Sequence, residues 1–442
     1  MTPQERKSTL SIASIYAFRM LGLFMILPIF SLYLPSLKQA TPTLIGLALG
    51  IYGLTQALLQ IPFAMISDRI GRKPVIVFGL IVFIIGSVIA ALSHSIYGII
   101  IGRAIQGAGA IGSTLIALAA DNTNEENRLK AMAIIGMTIG LSFMLAMILG
   151  SFLNRYLGLS GIFWLTALLA SFGIIMLRYS VPTPKKQSIH RDSETVLGQF
   201  KQVLTNPELL RLNFGIFTSH AVLMALFVIL PLILTQTTGI SADGQWKIYL
   251  PTLLISVILM LPFIMVAEKN RLMKPFFIGA IFLFTLTQAL FLLIKPNIFN
   301  VSLILCLFFT AFTFLEASLP SLVSKIAPAG NKGTAMGIYS SSQFLGIFAG
   351  GSIGGLLYNH FGSSSLFLFC TGLGIIWCVL ALTMKKLRYL SSKIISISVA
   401  TDPEAVHALE TKLKQVKGVA EVMVCSDEQV AYLKIDKREF EG

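Results

Sequence analysis

The sequence predicts an all-α polytopic membrane protein of 12 transmembrane helices in two six-helix halves, followed by a small C-terminal α+β domain. Three observations carry this. Hydrophobic residues make up 55% of the 442-residue chain and charged residues only 12%, about half the charge of a soluble protein. Twelve apolar runs are long enough for a bilayer-crossing helix, which needs about 20 residues. The chain also repeats itself at an offset near 200 residues.

The runs lie near 10–34, 43–67, 74–92, 96–120, 131–153, 159–177, 212–234, 248–267, 276–294, 298–323, 335–357 and 366–384. Runs this long and continuous are read as helices, because in lipid only helices and closed barrels satisfy every backbone polar group. Residues 1–9 are short and polar. The first span is too long for a signal peptide and has no small-residue cleavage site, so it is expected to remain.

The net charge of +14 invites a polyanion-binding reading, but its distribution argues against one. Twenty-one of the 34 Lys and Arg lie in the N-terminus, the even-to-odd loops and the segment after the twelfth span, whereas the opposite loops hold only Lys38, Arg155, Lys247 and Lys295. This positive-inside bias predicts a multi-pass protein with both termini cytoplasmic, and the membrane expected is the cell inner (plasma) membrane. Residues 393–442 carry seven basic and nine acidic groups, so the basicity is topological and no nucleic-acid site is expected. Cys306, Cys370, Cys378 and Cys425 show neither a disulfide framework nor metal spacing.

The repeat is explicit. Asn-Arg-Leu-Lys-Ala-Met-Ala-Ile from Asn127 echoes Asn-Lys-Gly-Thr-Ala-Met-Gly-Ile from Asn331, and the register holds without a gap to Gly158 and Gly362. Pro62-Phe63-Ala64-Met65 with Asp68-Arg69 echoes Pro262-Phe263-Ile264-Met265 with Glu268-Lys269. Span 5 therefore maps to span 11 and span 2 to span 8. Two six-helix halves in parallel repeat are an arrangement of secondary transporters, with a central site between them. The division expected is 1–180 and 208–392 for the halves, with a cytoplasmic linker at 181–207. Within the linker, 193–204 is predicted as a short amphipathic helix with Val196, Leu197, Phe200, Val203 and Leu204 on one face.

The tail, 393–442, changes character. Residues 393–400 alternate and are β-branched, as in a strand. Thr401 and Glu404 read as a capping box. Val406, Leu409, Leu413 and Val416 form a helix face, and Gly418 stops it. Residues 419–425 and 429–435 read as a hairpin about Asp427-Glu428. The βαββ order is the front of a ferredoxin-like module. Its second helix and fourth strand are not in the sequence, so an open sheet edge is expected to favour protein contact.

Ionisable groups inside a membrane span are costly and mark function. Four occur: Arg19, Arg103, His220 and Glu316, on spans 1, 4, 7 and 10, the first helix of each three-helix unit. Glu316 is the only acidic residue in the body of a span. A carboxyl in a low-dielectric cavity can carry a proton near neutral pH, and Arg19 or Arg103 pairing with it would oppose that. Tyr52, Gln56, Gln60, Asn213 and Gln343 are candidates to line the same cavity. For each, helix packing is the competing role. The loop Asp68-Arg69-Ile70-Gly71-Arg72-Lys73 is polar with a turn-permitting Gly. Asp68 at the N-terminus of span 11, and Arg72 paired with Asp121, would lock one conformation from the cytoplasmic side.

These residues resemble the drug:proton antiporter branch of the major facilitator superfamily. Asp68–Lys73 is similar to loop motif A, although its upstream Gly is Ala64 here. Arg103-Ala104-Ile105-Gln106-Gly107-Ala108-Gly109-Ala110 resembles motif B, whose Arg is implicated in proton transfer. Motif C, a Gly-Pro and a Gly-Gly on span 5, is degraded to Ala146-Met147 and Gly150-Ser151. The stretches 51–57, 67–74 and 332–337, with the tail, carry the likeness further. The resemblance implies the major facilitator fold, with spans 1, 4, 7 and 10 lining the cavity. It also implies proton-coupled efflux of a small molecule or drug by alternating access, in the bilayer, without cofactor or metal. Two other readings stay open: a proton-coupled nutrient symporter, and a transporter-like sensor signalling through its tail, because fold alone does not set function. No phosphate loop of an ATPase is present, and no enzyme activity is expected.

Overall fold

The computed structural model describes residues 1–33, 35–183, 200–328, 331–385, 391–397, 403–425 and 430–435. The helices are α1 (Pro3–Phe24), α2 (Pro42–Ile70), α3 (Arg72–Leu92), α4 (Ile96–Ala108), α5 (Gly112–Asp121), α6 (Glu125–Ser180), α7 (Phe200–Leu204), α8 (Pro207–Gln236), α9 (Trp246–Lys269), α10 (Met273–Leu293), α11 (Ile298–Ile326) and α12 (Lys332–Leu382). Nine helical segments among the described residues are long and apolar enough to cross a membrane. Large apolar side chains such as Phe78, Ile85, Ile258 and Phe361 point outward, as lipid-facing positions do when the solvent is hydrocarbon.

The internal repeat is visible as geometry. Helices α6 and α12 bend at Gly158 (φ 61°, ψ −174°) and Gly362 (φ 77°, ψ −174°), which are equivalent in the repeat. That backbone region is essentially reserved for glycine, and another residue costs about 1–3 kcal/mol there. Nothing lies within 4 Å of a Cβ built on Gly362. Gly362→Ala should therefore destabilise by about 1–3 kcal/mol through backbone strain alone, read from equilibrium unfolding in mixed micelles. No measurable loss would mean that the bend relaxes freely.

Equivalent loops are tied in equivalent ways. Lys73 Nζ donates to Val181 O at 2.5 Å, and Lys274 Nζ donates to Met384 O. The Glu5 carboxylate accepts from Asn124 N at 2.8 Å and Asn127 Nδ2 at 3.1 Å. The Asn124 amide is the main reason its carboxyl is held below the usual carboxylate range. At the matching place, Asn331 Nδ2 donates to Gln202 Oε1 of α7 at 2.6 Å. The remainder of the predicted linker helix, 193–199, lies outside the described residues.

Glycines let three helices approach closely. A Cβ on Gly346 or Gly350 of α12 would overlap the backbone of Phe217 or Ala221 of α8, and one on Gly354 would touch Ala225 at 3.0 Å. On another face of α12, Gly351 and Gly355 meet Gly46 of α2 backbone to backbone. Helix α12 is thus wedged between α2 and α8.

Two spans depart from the expected continuous helices. Span 1 leaves α-helical geometry after Phe24 and ends in a 3₁₀ turn, Phe30–Tyr33. Pro28 in this stretch has no N–H to continue the ladder. Span 4 is interrupted at residues 109–111, between α4 and α5. There Gly109 lies against the Gly79 carbonyl of α3, with no room for a Cβ.

The tail holds β1 (Ser391–Ser396), α13 (Pro403–Lys414), β2 (Val419–Cys425) and β3 (Val430–Ile435). The sheet is antiparallel in the order β1-β3-β2. The Glu410 carboxylate of α13 accepts from Val424 N at 3.1 Å, and Gly418 (φ 82°) makes the turn into β2. The expected cap at Thr401 and turn at Asp427-Glu428 lie outside the described residues. Lys434 Nζ donates to Ser324 O (2.7 Å) and Lys325 O (3.3 Å), joining β3 to the end of α11. A cation on the carbonyls of a helix C-terminus suits the helix dipole.

Candidate functional site

The four ionisable groups within spans form two clusters. The first surrounds the break in span 4. Arg19 of α1 is 1% exposed. Its Nη2 donates to Gly109 O (2.8 Å), Gln56 Oε1 (3.1 Å) and Tyr52 Oη (3.3 Å). The break frees a carbonyl and Arg19 occupies it, which is how irregular backbone is tolerated at membrane depth. Arg103 of α4 is fully buried. Its Nε donates to Ala48 O at 3.4 Å and its Nη1 to Gln106 Oε1 at 3.0 Å. Its guanidinium carbon lies 4.9 Å from the centroid of the Tyr52 ring, a cation–π distance. Tyr52 thus receives one arginine on its hydroxyl and the other on its ring. Gln106 Nε2 donates to Ser87 Oγ of α3 at 2.7 Å and extends the network.

The second cluster joins α8, α11 and α12. His220 Nδ1 is 3.5 Å from Glu316 Oε1, and His220 Nε2 is 2.8 Å from Gln343 Nε2. If the Gln343 amide donates to Nε2, the imidazole proton resides on Nδ1 and faces the carboxylate. The Phe312 ring packs on the imidazole at 5.8 Å. The Glu316 side chain is 30% exposed, yet its Oε1 is shielded and has no hydrogen-bond partner among the described residues. Glu316 is ten residues before the end of α11, about 15 Å along the axis. It sits at membrane depth with one face open.

Arg19 and Arg103 do not pair with Glu316. Among the described ion pairs, its partner is His220. The other candidates divide. Gln56 and Tyr52 belong to the first cluster and Gln343 to the second. Gln60 Nε2 reaches Gly337 O of α12 at 3.5 Å, and Asn213 is buried with Oδ1 unpartnered. Two residues outside the expected set matter. Gln106, one helical turn from Arg103, holds that side chain, and Phe344 carries the Tyr52 ring at 6.4 Å. The spacing of Arg103 and Gln106 could have signalled the first; nothing in the sequence marks the second.

In the loop between α2 and α3, Arg72 pairs with Asp121 at 3.2 Å. It also pairs with Asp68 and donates to Ser67 Oγ at 2.8 Å. Asp68 does not reach the start of α12: its carboxylate is taken by Arg72, one turn along. Gly71 makes the turn with φ 105°, its N–H on Ser67 O at 3.1 Å, and Arg69 is exposed. A cavity of about 270 Å³ between Tyr33, Ser93, His94 and Ser160 lies apart from both clusters.

A multi-pass helical bundle with buried charges at mid-depth defines a membrane transport protein. Residues 12–350, and in a second alignment 253–404, match the Major Facilitator Superfamily, and the chain belongs to that family. It is 46% identical over 438 residues to the inner membrane transport protein YajR of Escherichia coli, covering 99% of this chain and 96% of the relative. It is 26% identical over 352 residues to the multidrug resistance protein MdtH of Aeromonas hydrophila, covering 77% of this chain and 85% of that one. The fold is shared with a bacterial homologue of the human lysosomal transporter Spinster in an inward-facing, occupied conformation. That match has a TM-score of 0.68 and 15% identity, over 86% of this chain and 96% of the other.

Proposed function

We propose that this chain is a proton-coupled secondary active transporter of the inner membrane that exports a small molecule by alternating access. One observation carries the coupling: Glu316 is a carboxylate at membrane depth, partly open, with an unpartnered oxygen beside a histidine. A charged carboxylate there is costly and a protonated one is not, so a proton can be taken up and released as access alternates. Arg19, Arg103, His220 and Glu316 form the charged centre, with Tyr52, Gln56, Gln60, Asn213 and Gln343 as its polar lining. The export direction is supported by likeness to multidrug resistance proteins.

The architecture proposed is 12 crossings in two halves, 1–180 and 208–392, joined by 181–207. The count is supported by the bends at Gly158 and Gly362, each placing two crossings in one helical segment, and by α1 as a further crossing. Both termini are cytoplasmic, and 393–442 is a ferredoxin-like unit, supported by the β1-β3-β2 order with α13 between β1 and β2. Asp68, Arg69, Gly71, Arg72 and Asp121 form the cytoplasmic lock, here with Asp68 turned to Arg72. At the opposite end, contact between the halves includes Ser31 Oγ to Phe227 O (3.3 Å) and the Phe152 and Trp246 rings (6.1 Å).

The test is transport by purified protein in liposomes carrying a pH-sensitive dye. A compound library should yield a substrate whose accumulation follows an imposed pH gradient and collapses with a protonophore. Accumulation driven by a sodium gradient alone would refute proton coupling.

A further inference from the structure

We infer that the substrate carries an anionic group, a carboxylate being the simplest, and that Arg19 and Arg103 at the break in span 4 receive it. The inference rests on the transporter reading above and names the substrate class of the same centre.

Both guanidiniums are held away from water, and both lack a carboxylate. Arg19 is 1% exposed and Arg103 fully buried, and neither takes part in an ion pair among the described residues. The acceptors they use are neutral dipoles or rings: the Gly109 and Ala48 carbonyls, the Gln56 and Gln106 amides, the Tyr52 hydroxyl and ring, and the Phe83 ring 5.7 Å from the Arg19 guanidinium carbon. Arginine stays protonated in proteins, so two positive charges are present in both halves of the cycle. A buried charge without a counter-charge is among the least favourable arrangements in a protein.

Donors remain free. Arg19 Nε and Nη1, and Arg103 Nη2, are shielded from solvent and have no hydrogen-bond partner among the described residues. Arg19 is directed at the break by its bond to Gly109 O. From the same break α5 begins at Gly112 without a side-chain cap, so its first N–H groups and the positive end of its dipole face the gap. Thr114 in its first turn has a buried, unpartnered hydroxyl. The half-helix of a discontinuous span offers anion-binding chemistry, and two unpaired guanidiniums beside it make the charge demand specific.

The cluster also has a route to the interface between halves. Tyr52 touches both arginines, and its ring lies against Phe344, the neighbour of Gln343, which contacts His220. An anion drawn to the arginines would thus be sensed one residue layer from the proposed proton carrier. Exchange of an outgoing monoanion for an incoming proton moves two positive charges inward, so an inside-negative potential drives it doubly.

The experiment compares matched pairs: 1-naphthoate with 1-naphthamide, and indole-3-acetate with indole-3-acetamide. Each is tested on the full chain in detergent by thermal shift, since a ligand of the folded state raises its stability. At least one carboxylate should stabilise the protein more than its amide. Arg19→Gln or Arg103→Gln should abolish the difference, while Arg19→Lys, which keeps the charge, should retain part of it. In liposomes, carboxylate export should rise with an inside-negative potential. The inference is overturned if no carboxylate exceeds its amide, or if both Gln variants keep the full preference. Glu316→Gln separates the readings: it should keep the carboxylate preference in binding while losing the proton drive. Retained drive there would refute the carrier assignment and leave the anion site standing.

Discussion

Glu316→Gln is expected to give a protein that inserts, folds and binds substrate but has lost pH-driven transport by on the order of 100-fold, the upper range of a coupling free energy. The substitution keeps size and polarity and removes only the titratable proton. In the native chain the carboxylate lies 3.5 Å from His220 Nδ1 with Oε1 otherwise unpartnered. Its charged and neutral forms therefore differ strongly in free energy with the access of water, and alternating access changes that access. A fixed amide cannot exploit the difference. Exchange of substrate down its own gradient should survive, which separates lost coupling from lost binding. Unchanged pH-driven accumulation would move the carrier role to His220, the titratable neighbour of Glu316.

Membrane architecture was largely legible because lipid permits so few backbone solutions. The repeat between Asn127 and Asn331 ran to Gly158 and Gly362, and the structure bends both helices at those glycines with nearly the same dihedrals. The interruption at 109–111 was not legible. Span 4 stays apolar across it, and hydropathy does not register a helix that stops and restarts.

The charged residues were legible as types and not as partners. Arg19 and Arg103 stood out in apolar helices, but their acceptors Tyr52, Gln56, Gly109 and Ala48 are 33 to 90 residues away along the chain. The repeat offset adds something that neither half shows alone. At the 204-residue offset of the Asn127–Asn331 match, though not at the 200 of the Pro62–Pro262 match, His220 falls on Tyr16 and Glu316 on Gly112. In the structure the Tyr16 hydroxyl lies 3.1 Å from where a Cβ on Gly112 would be. The place that holds a carboxylate in the second repeat is closed off by a phenol in the first.

The loop expectation failed at Asp68 for a related reason. A carboxylate four residues before an arginine can pair with it locally, and Arg72 is held in place by Asp121 and Ser67. The local pair wins over the start of α12 in this conformation. Arg72→Leu should therefore cost about 3–5 kcal/mol, because it leaves two carboxylates together without their cation. Arg72 and Asp121 side chains are each 2% exposed, so the pair does not fall in the surface class worth about 0–1 kcal/mol. Arg72→Lys should recover only part, since an ammonium cannot present the guanidinium fork to Asp68, Asp121 and Ser67 together. Adding Asp121→Asn to Arg72→Leu should restore stability by removing one of the stranded charges. Equilibrium unfolding in mixed micelles checks all three, and a loss below about 1 kcal/mol for Arg72→Leu would place the cluster among ordinary surface pairs. With Arg72 gone, Asp68 is also free to turn toward α12. Cysteine labelling from the cytoplasmic side should then fall in the stabilised double variant, and an unchanged pattern would count against a lock at this loop.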